Sequence, residues 1–351
     1  MKLFGRMPKG WIFLWLVLCL SLLALLGGCE RLPWSKLSSG RECLQFELPE
    51  VPATSLVTGS ESESVRQGLL YFTDCEKRFL VPVYRPIPFS ETIIRDTLEQ
   101  LLPSPGAAGE LASRGLQFVL PEGLAILGIA VNEGLARVDF SAPILSYTPE
   151  EERLVLGSLL CTLRQFPEIE RLQILVEGME IEQFPGGTSG QVPLGPECWI
   201  NLEIEEGLTD YRNYCAVTVY FCYYSPGGGI LYVPVTRILS PDEEPETAAF
   251  RELLAGPAPG SGLFSEIPPG TTLEQLGRQE ALLNLELSEQ LTGYRGGVTG
   301  AKNITYQLLL TAGALPGVEQ VQVLINGQPV TVPGELDFQV PQAVPGLVNC
   351  F

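Results

Sequence analysis

Histidine is absent from this chain of 351 residues. Without an imidazole there is no Ser-His-Asp or Cys-His nucleophile system, no histidine-ligated zinc and no histidine general base. Cations are also scarce. Lys and Arg total 22 against 41 Asp and Glu, a formal charge of −19. That excludes nucleic acid as a partner, because its binding needs Lys and Arg to displace counterions. Cys-x-x-Cys pairs and zinc-ligand spacings are missing from the nine cysteines. What remains is a chain with 45% apolar residues, enough for packed cores, in which 37 Gly and 29 Pro punctuate short elements. At roughly 100–200 residues per domain, the length suggests about two domains.

Residues 1–28 read as an export signal. Lys2, Arg6 and Lys9 precede an uncharged run from Trp11 to Leu26, and Gly27, Gly28 and Cys29 follow. The run falls short of the ~20 residues a spanning helix needs. Leu26-Gly27-Gly28-Cys29 resembles the bacterial lipobox, which implies cleavage before Cys29 and a diacylglycerol on its thiol. The expected location is the extracytoplasmic face of the cell membrane, with Cys29 as the lipid anchor. Cleavage removes three cations and no acid, so the formal charge moves from −19 to −22. Anionic headgroups repel such a body, and attachment falls on the acyl chains.

Residues 29–66, rich in Ser, Glu, Pro and Gly, read as a flexible tether. Seven cysteines remain beyond the anchor: Cys43, Cys75, Cys161, Cys198, Cys215, Cys222 and Cys350. No pairing follows from sequence. Cys161 reads as a small core residue of a helix. Cys215 and Cys222 would face opposite sides of one strand, which argues against a disulfide between them.

The rest is one unit written twice, with a period of about 150 residues. LVPVYRPIP at 80–88 returns as YVPVTRILS at 232–240, and TLEQLLPSP at 97–105 as AFRELLAGP at 249–257. LPEG at 120–123 returns as IPPG at 267–270, and ARVDFSAPILSY at 136–147 as LNLELSEQLTGY at 283–294. The block at 159–178 returns at 308–327. Each copy reads as a hairpin ending in the Val-Pro-Val strand, a helix, a strand pair, a second helix and a further strand. The first helix of copy one is expected to start near Ser90 as N-cap and to stop at Pro103. The strand pair turns at Asn132-Glu133-Gly134. Thr148-Pro149-Glu150-Glu151 is a capping box opening the second helix.

These blocks resemble the GerMN domain family. The resemblance rests on Val81-Pro82-Val83 and Val233-Pro234-Val235, the Leu253-Leu254-Ala255-Gly256-Pro257 helix end, and Ile267-Pro268-Pro269-Gly270. It also rests on Val138-Asp139-Phe140, and on Thr162-Leu163 leading through Phe166-Pro167 to Gln173-Ile174-Leu175-Val176. It implies an α+β fold of two tandem homologous domains, 67–197 and 214–351, joined by a linker at 198–213. Each domain would be a mixed β-sheet with two helices on one face, similar to the ring-building motif. It further implies a non-enzymatic role for a membrane lipoprotein of sporulation and germination, with envelope or sporulation-complex proteins as partners, or self-assembly. The alternative is a vegetative envelope lipoprotein that binds peptidoglycan or modulates envelope signalling. Copy two departs from the pattern at Glu286 for Asp139 and at Gly313-Ala314 for Arg164-Gln165.

Chemical candidates give way to structural readings. Ser225-Pro226-Gly227-Gly228-Gly229 lacks the Gly-Lys-Ser/Thr ending of a phosphate loop and reads as a hairpin turn. Gly186-Gly187-Thr188-Ser189-Gly190 has no base partner and reads as a loop. Glu150, Glu151 and Glu152 sit at a helix N-terminus and complement its dipole, as do Asp242, Glu243 and Glu244 before the copy's first helix. No residue pair carries the mark of a glycosidase acid and nucleophile. Asp139 is expected on a solvent face, and its copy Glu286 keeps the charge, which fits a solvated or pairing role better than catalysis. Arg85 and Arg237 recur after the Val-Pro-Val strand, for a partner's acids or a local ion pair. Trp199 packs the linker or an interface. Catalytic residues, metals and cofactors are assigned to none.

Overall fold

In a computed structural model, the described residues are 65–195, 200–208, 214–332 and 336–350. The signal, Cys29, most of the tether, Cys43, Cys198 and Trp199 lie outside them.

The first domain opens with the hairpin β1 (Val65–Asp74) and β2 (Leu80–Pro88), antiparallel in one continuous register. The first strand begins at Val65, so the last two residues of the expected tether belong to the domain. Helix α1 (Ile93–Glu99) starts later than Ser90. The Ser90 hydroxyl instead accepts the Thr92 N–H at 3.1 Å in a local turn. A second helix, α2 (Pro105–Ser113), follows, in a segment to which the sequence assigned no element. Pro105 at its first turn behind Ser104 sets the start, and fully buried Leu111 anchors it. The short β3 (Leu116–Gln117) adds to the far end of β1.

Next come β4 (Ile126–Asn132) and β5 (Leu135–Phe140), antiparallel around Glu133-Gly134. Both turn residues have positive φ, 49° and 77°, the left-handed pair of a type I′ turn. A 3₁₀ turn at Pro149–Glu151 carries the Thr148–Glu151 capping box and leads into α3 (Glu152–Leu163). β6 (Arg171–Val176) runs parallel to β5, and β7 (Met179–Glu180) turns back on it.

The second domain repeats the plan. β8 (Glu203–Ile204) comes from the expected linker and pairs in parallel with β10 (Ile230–Leu239), which forms a hairpin with β9 (Cys215–Tyr224). Helix α4 (Pro245–Ala255) is followed by β11 (Leu273–Gln279) and β12 (Leu282–Leu287). Then come α5 (Gly297–Gly313), β13 (Gln320–Ile325) and β14 (Gln328–Pro329). The end of the chain adds β15 (Thr331–Val332), β16 (Leu336–Asp337) and β17 (Gln342–Ala343), the last pairing with β13.

The architecture is α+β with two tandem domains. The described strands divide between two sheets in domain one and three in domain two, the third being the two-stranded β15-β16, where the sequence suggested one per domain. In domain one β2-β1-β3 and β4-β5-β6-β7 are separate. The outer edge of β1 is taken by side chains of α3 and of Gln165 just beyond its end. The Ser158 hydroxyl donates to the Tyr71 carbonyl at 2.7 Å. Gln165 accepts from the Leu69 N–H at 3.0 Å and donates to the Leu69 carbonyl at 2.7 Å. In domain two Thr311 accepts from the Tyr220 N–H at 3.0 Å, and Gln307 donates to the Tyr220 carbonyl at 3.2 Å. An edge sealed by side chains has no donors left to extend the sheet.

Each domain has its own apolar core. Phe72, Phe140, Leu159 and Leu160 are among the buried residues of the first, and Phe221, Phe250, Leu308 and Phe338 of the second. Cys215 and Cys222 lie on opposite faces of β9, as alternation requires, Cys215 in the second core and Cys222 in a smaller cluster with Tyr232, Leu310 and Val348. Cys161 is half-buried on α3. Cys75, Cys215, Cys222 and Cys350 are free thiols.

Candidate functional site

The described residues place their most concentrated polar organisation where the two domains meet. Two equivalent strands, β2 and β10, approach edge to edge there. Both carry a proline at the same position, Pro82 and Pro234, which lacks an N–H and cannot donate to a ladder. Two asparagines fill the gap. Asn201 accepts from the Leu80 N–H at 2.7 Å and donates to the carbonyls of Leu80 at 2.8 Å and Pro234 at 2.7 Å. Asn349 accepts from the Tyr232 N–H at 2.9 Å and donates to the carbonyls of Tyr232 and Pro82, both at 2.8 Å. Leu80 and Tyr232 are repeat equivalents, and so are the two prolines. The seam is therefore nearly two-fold symmetric within one chain.

Both asparagines have left-handed backbones, φ 47° and 52°, a conformation Asn tolerates better than other non-glycine residues. Sequence reasoning missed them. The available signal was a sixth repeat, Ile200-Asn201 behind domain one and Val348-Asn349 behind domain two.

Other contacts extend the seam. Phe79 meets Tyr223 edge to face, with centroids 5.1 Å apart. The Gly-rich turn Ser225–Gly229 presses on the end of α2: the Ser225 hydroxyl donates to the Arg114 carbonyl. A Cβ on Gly227 would lie 1.7 Å from the Ser113 carbonyl oxygen. This close approach leaves no room for a side chain at Gly227. The phenols of Tyr71 and Tyr220 are both buried, which raises their pKa values, Tyr220 to about 12 and Tyr71 well above its ordinary value. Cys161 adds to the rise in Tyr71, as Tyr84 does in Tyr220. Burial, with Glu266 nearby, likewise raises the Cys222 thiol and keeps it protonated.

A cleft of about 300 Å³ opens at the seam, lined in part by Lys77, Arg78, Glu150, Arg153, Asn201 and Glu203. Its cations are engaged. Lys77 pairs with Glu151, Arg78 with Asp74 at 2.8 Å and Glu76 at 3.4 Å, and Arg153 donates to the Leu202 carbonyl at 3.4 Å.

The carboxylates and arginines read from sequence also hold local jobs. Glu151 closes the capping box, and the hydrogen bond from Lys77 lowers its pKa. Glu152 is buried and accepts the N–H groups of Gly186 and of Thr188, the latter at 2.9 Å, which fixes the Gly186–Gly190 loop. Asp139 accepts the Gly178 N–H at 2.8 Å, and its copy Glu286 accepts the Gly327 N–H at the same distance. Each holds the turn after the parallel strand, a pairing role rather than a solvated one. Asp242 accepts from the Ser240 hydroxyl, and Glu243 pairs with Arg251. Arg237 is nearly buried; it binds Glu203 and Glu252 at 2.9 Å and donates to the carbonyls of Glu252 and Gly256 at 2.9 and 2.8 Å. Arg85 pairs with Glu110 on α2. Both arginines make ion pairs within the chain. Cys29 and Trp199 lie outside the described residues.

Comparison with known proteins fits this geometry. The family model Germane, described as sporulation and spore germination, matches twice, at residues 69–182 and 218–331. The spore germination protein GerM of Bacillus subtilis (strain 168) is 28% identical over 264 residues, covering 74% of this chain and 71% of that protein. The solved structure of the tandem GerMN domains of B. subtilis GerM matches with a TM-score of 0.67 at 27% identity, covering 82% of this chain and 99% of that one. The chain belongs to the Germane family of sporulation and spore germination proteins, with two GerMN domains in tandem.

Proposed function

We propose that this protein is a lipid-anchored, extracytoplasmic scaffold of the sporulating envelope, working through protein–protein contacts rather than catalysis. The observation that carries this reading is the asparagine-pinned seam. It ties two small domains together through hydrogen bonds across the seam, and a defined arrangement of surfaces is what an assembly component needs. The carboxylates that sequence offered as chemical candidates support it, since Glu151, Glu152, Asp139 and Glu286 are engaged by backbone and side-chain donors. The seam uses the same face of both domains and closes on itself, so growth into larger assemblies falls to other surfaces.

Anchoring rests on the lipobox at Cys29, and the likeness to GerM motivates the sporulation role. The test is fractionation and imaging of sporulating cells that carry the wild type or Cys29→Ala. The expected result is membrane-bound wild type at the septal and engulfing membranes, with a variant that loses mature-length anchoring. Uniform presence in vegetative cells with no sporulation defect on deletion would overturn the reading. Pelleting of the purified protein with peptidoglycan would instead favour the wall-binding role.

A further inference from the structure

We propose that the outer edge of β4, in the first domain, docks an extended acidic segment of a partner protein, which joins that sheet as an added strand. The hairpin edges are closed by Ser158, Gln165, Gln307 and Thr311 and by the two seam asparagines. The far edge of β6 is closed by β7 and by paired backbone hydrogen bonds between Leu172 and Leu194. That of β13 is closed by β14 and β17. Among the described strands of the two larger sheets, β4 and its copy β11 keep a long unpaired edge.

The two copies treat that edge differently. β11 reads Leu-Glu-Gln-Leu-Gly-Arg-Gln, with exposed Glu274 and with Arg278 tied to Glu246 and the Pro316 carbonyl. Charges of this kind guard an edge against strand addition. β4 reads Ile-Leu-Gly-Ile-Ala-Val-Asn and carries no charge. Leu127 is 51% exposed, and the guanidinium of Arg95 occupies the carbonyl of Ile126 alone, at 3.0 Å. A neutral, narrow edge of this sort is the substrate of strand addition, in which backbone hydrogen bonds give affinity and flanking side chains give selectivity.

Behind that edge, the outward face carries two arginines on the next two strands, beside Asp139, whose carboxylate accepts the Gly178 N–H. Arg137 on β5 lies opposite Ala130 on the outward face. Arg171 on β6, paired with Leu135, is its diagonal neighbour on the same face. Neither makes an ion pair among the described residues, although acids outnumber bases nearly two to one in the chain. At the equivalent positions domain two has Asn284 and Gln320. An uncharged edge strand and arginines without an ion pair among the described residues occur together in one copy and not in the other, which selects an acidic strand as the occupant.

The test uses the full chain in detergent with two synthetic seven-residue peptides, one alternating valine and glutamate, the other valine and lysine. The expected result is at least tenfold tighter binding of the glutamate peptide, with slowed amide exchange confined to residues 127–132. Leu127→Lys should weaken binding at least tenfold. Arg137→Glu with Arg171→Glu, both on an exposed face, should reverse the peptide preference while leaving the melting temperature unchanged. Equal binding of both peptides, or protection elsewhere, overturns the proposal. So does protection of 127–132 in the free chain that vanishes when residues 30–64 are deleted, or protection that rises with protein concentration. Those two outcomes would assign the edge to the chain's own tether or to a second copy.

Discussion

Asn201 and Asn349 are counterparts: each follows one repeat, and each clasps the peptide group of the equivalent strand residue, Leu80 or Tyr232, while reaching across to the opposite proline carbonyl. A single amide side chain satisfies three backbone groups that two proline-bearing edges would otherwise leave unpaired. This pair ties the two domains together at the seam.

Removing either amide should therefore act at a named place. Asn201→Ala is expected to accelerate exchange of the Leu80 amide, and Asn349→Ala that of the Tyr232 amide, each at least tenfold. Orphaned buried peptide groups make the cost about 1–3 kcal/mol per variant by urea unfolding. Unchanged exchange at both amides would show that the asparagines do not hold the seam.

The glycine-rich turn is a packing contact, and its chemistry predicts a sharp size limit. Gly227→Ala must displace the Ser113 carbonyl or the turn itself, whereas Gly228→Ala meets no neighbour within 4 Å but strains a backbone at φ 91°. The first variant should widen the domain–domain distance in X-ray scattering. The second should leave that distance unchanged while lowering stability by about 1 kcal/mol.

The two arginines after the Val-Pro-Val strands should differ in weight. Arg237 joins Glu203, Glu252 and two carbonyls at a nearly buried position, so Arg237→Met is expected to cost about 3–5 kcal/mol. The Glu110 partner of Arg85 is 42% exposed at its side chain, and Arg85→Met should cost about 1 kcal/mol or less. Chemical denaturation of the two variants checks the ratio.

Alkaline pH should loosen the seam. Burial raises the phenols of Tyr71 and Tyr220 above their ordinary value of 10.0. Between pH 10 and about 12 the unfolded chain has lost a proton that the folded Tyr220 keeps. Stability is fully present below pH 10 and falls by about 1.4 kcal/mol per pH unit for this group as pH rises through that window. Urea unfolding from pH 8 to 12, with tyrosinate absorbance followed in parallel, measures it. A Tyr220→Phe variant should show a shallower decline.

Much of each domain was legible because it is written locally. The Glu133-Gly134 turn, the Thr148 capping box and the stripe Leu154, Val155, Leu159 and Leu160 are set by residues a few positions apart. Helix α2 was not, because Gly106 and Gly109 depress helix propensity and packing of Leu111 overrides them. The division of each domain into separate sheets was hidden too. Ser158 and Gln165, which take the outer edge of β1, reach a strand some ninety residues earlier in the chain. Alternation put Asp139 and Glu286 on the outward face of their strands, and left open whether they are solvated or paired. Their bonds to the Gly178 and Gly327 amides come from strand neighbours about forty residues away.

Duplication, the order of strands and helices, the acidic balance and the absence of histidine chemistry are all properties of the chain as a string, since each follows from composition or from short-range pattern. Which edges close and which stay open is a property of the folded molecule. Asn201 finds its partners 121 and 33 residues away, and Asn349 finds its own at 267 and 117. Hydrogen bonds across such separations carry no periodic signal in sequence. They exist because packing of two cores brings two proline-interrupted strands within reach of one amide each.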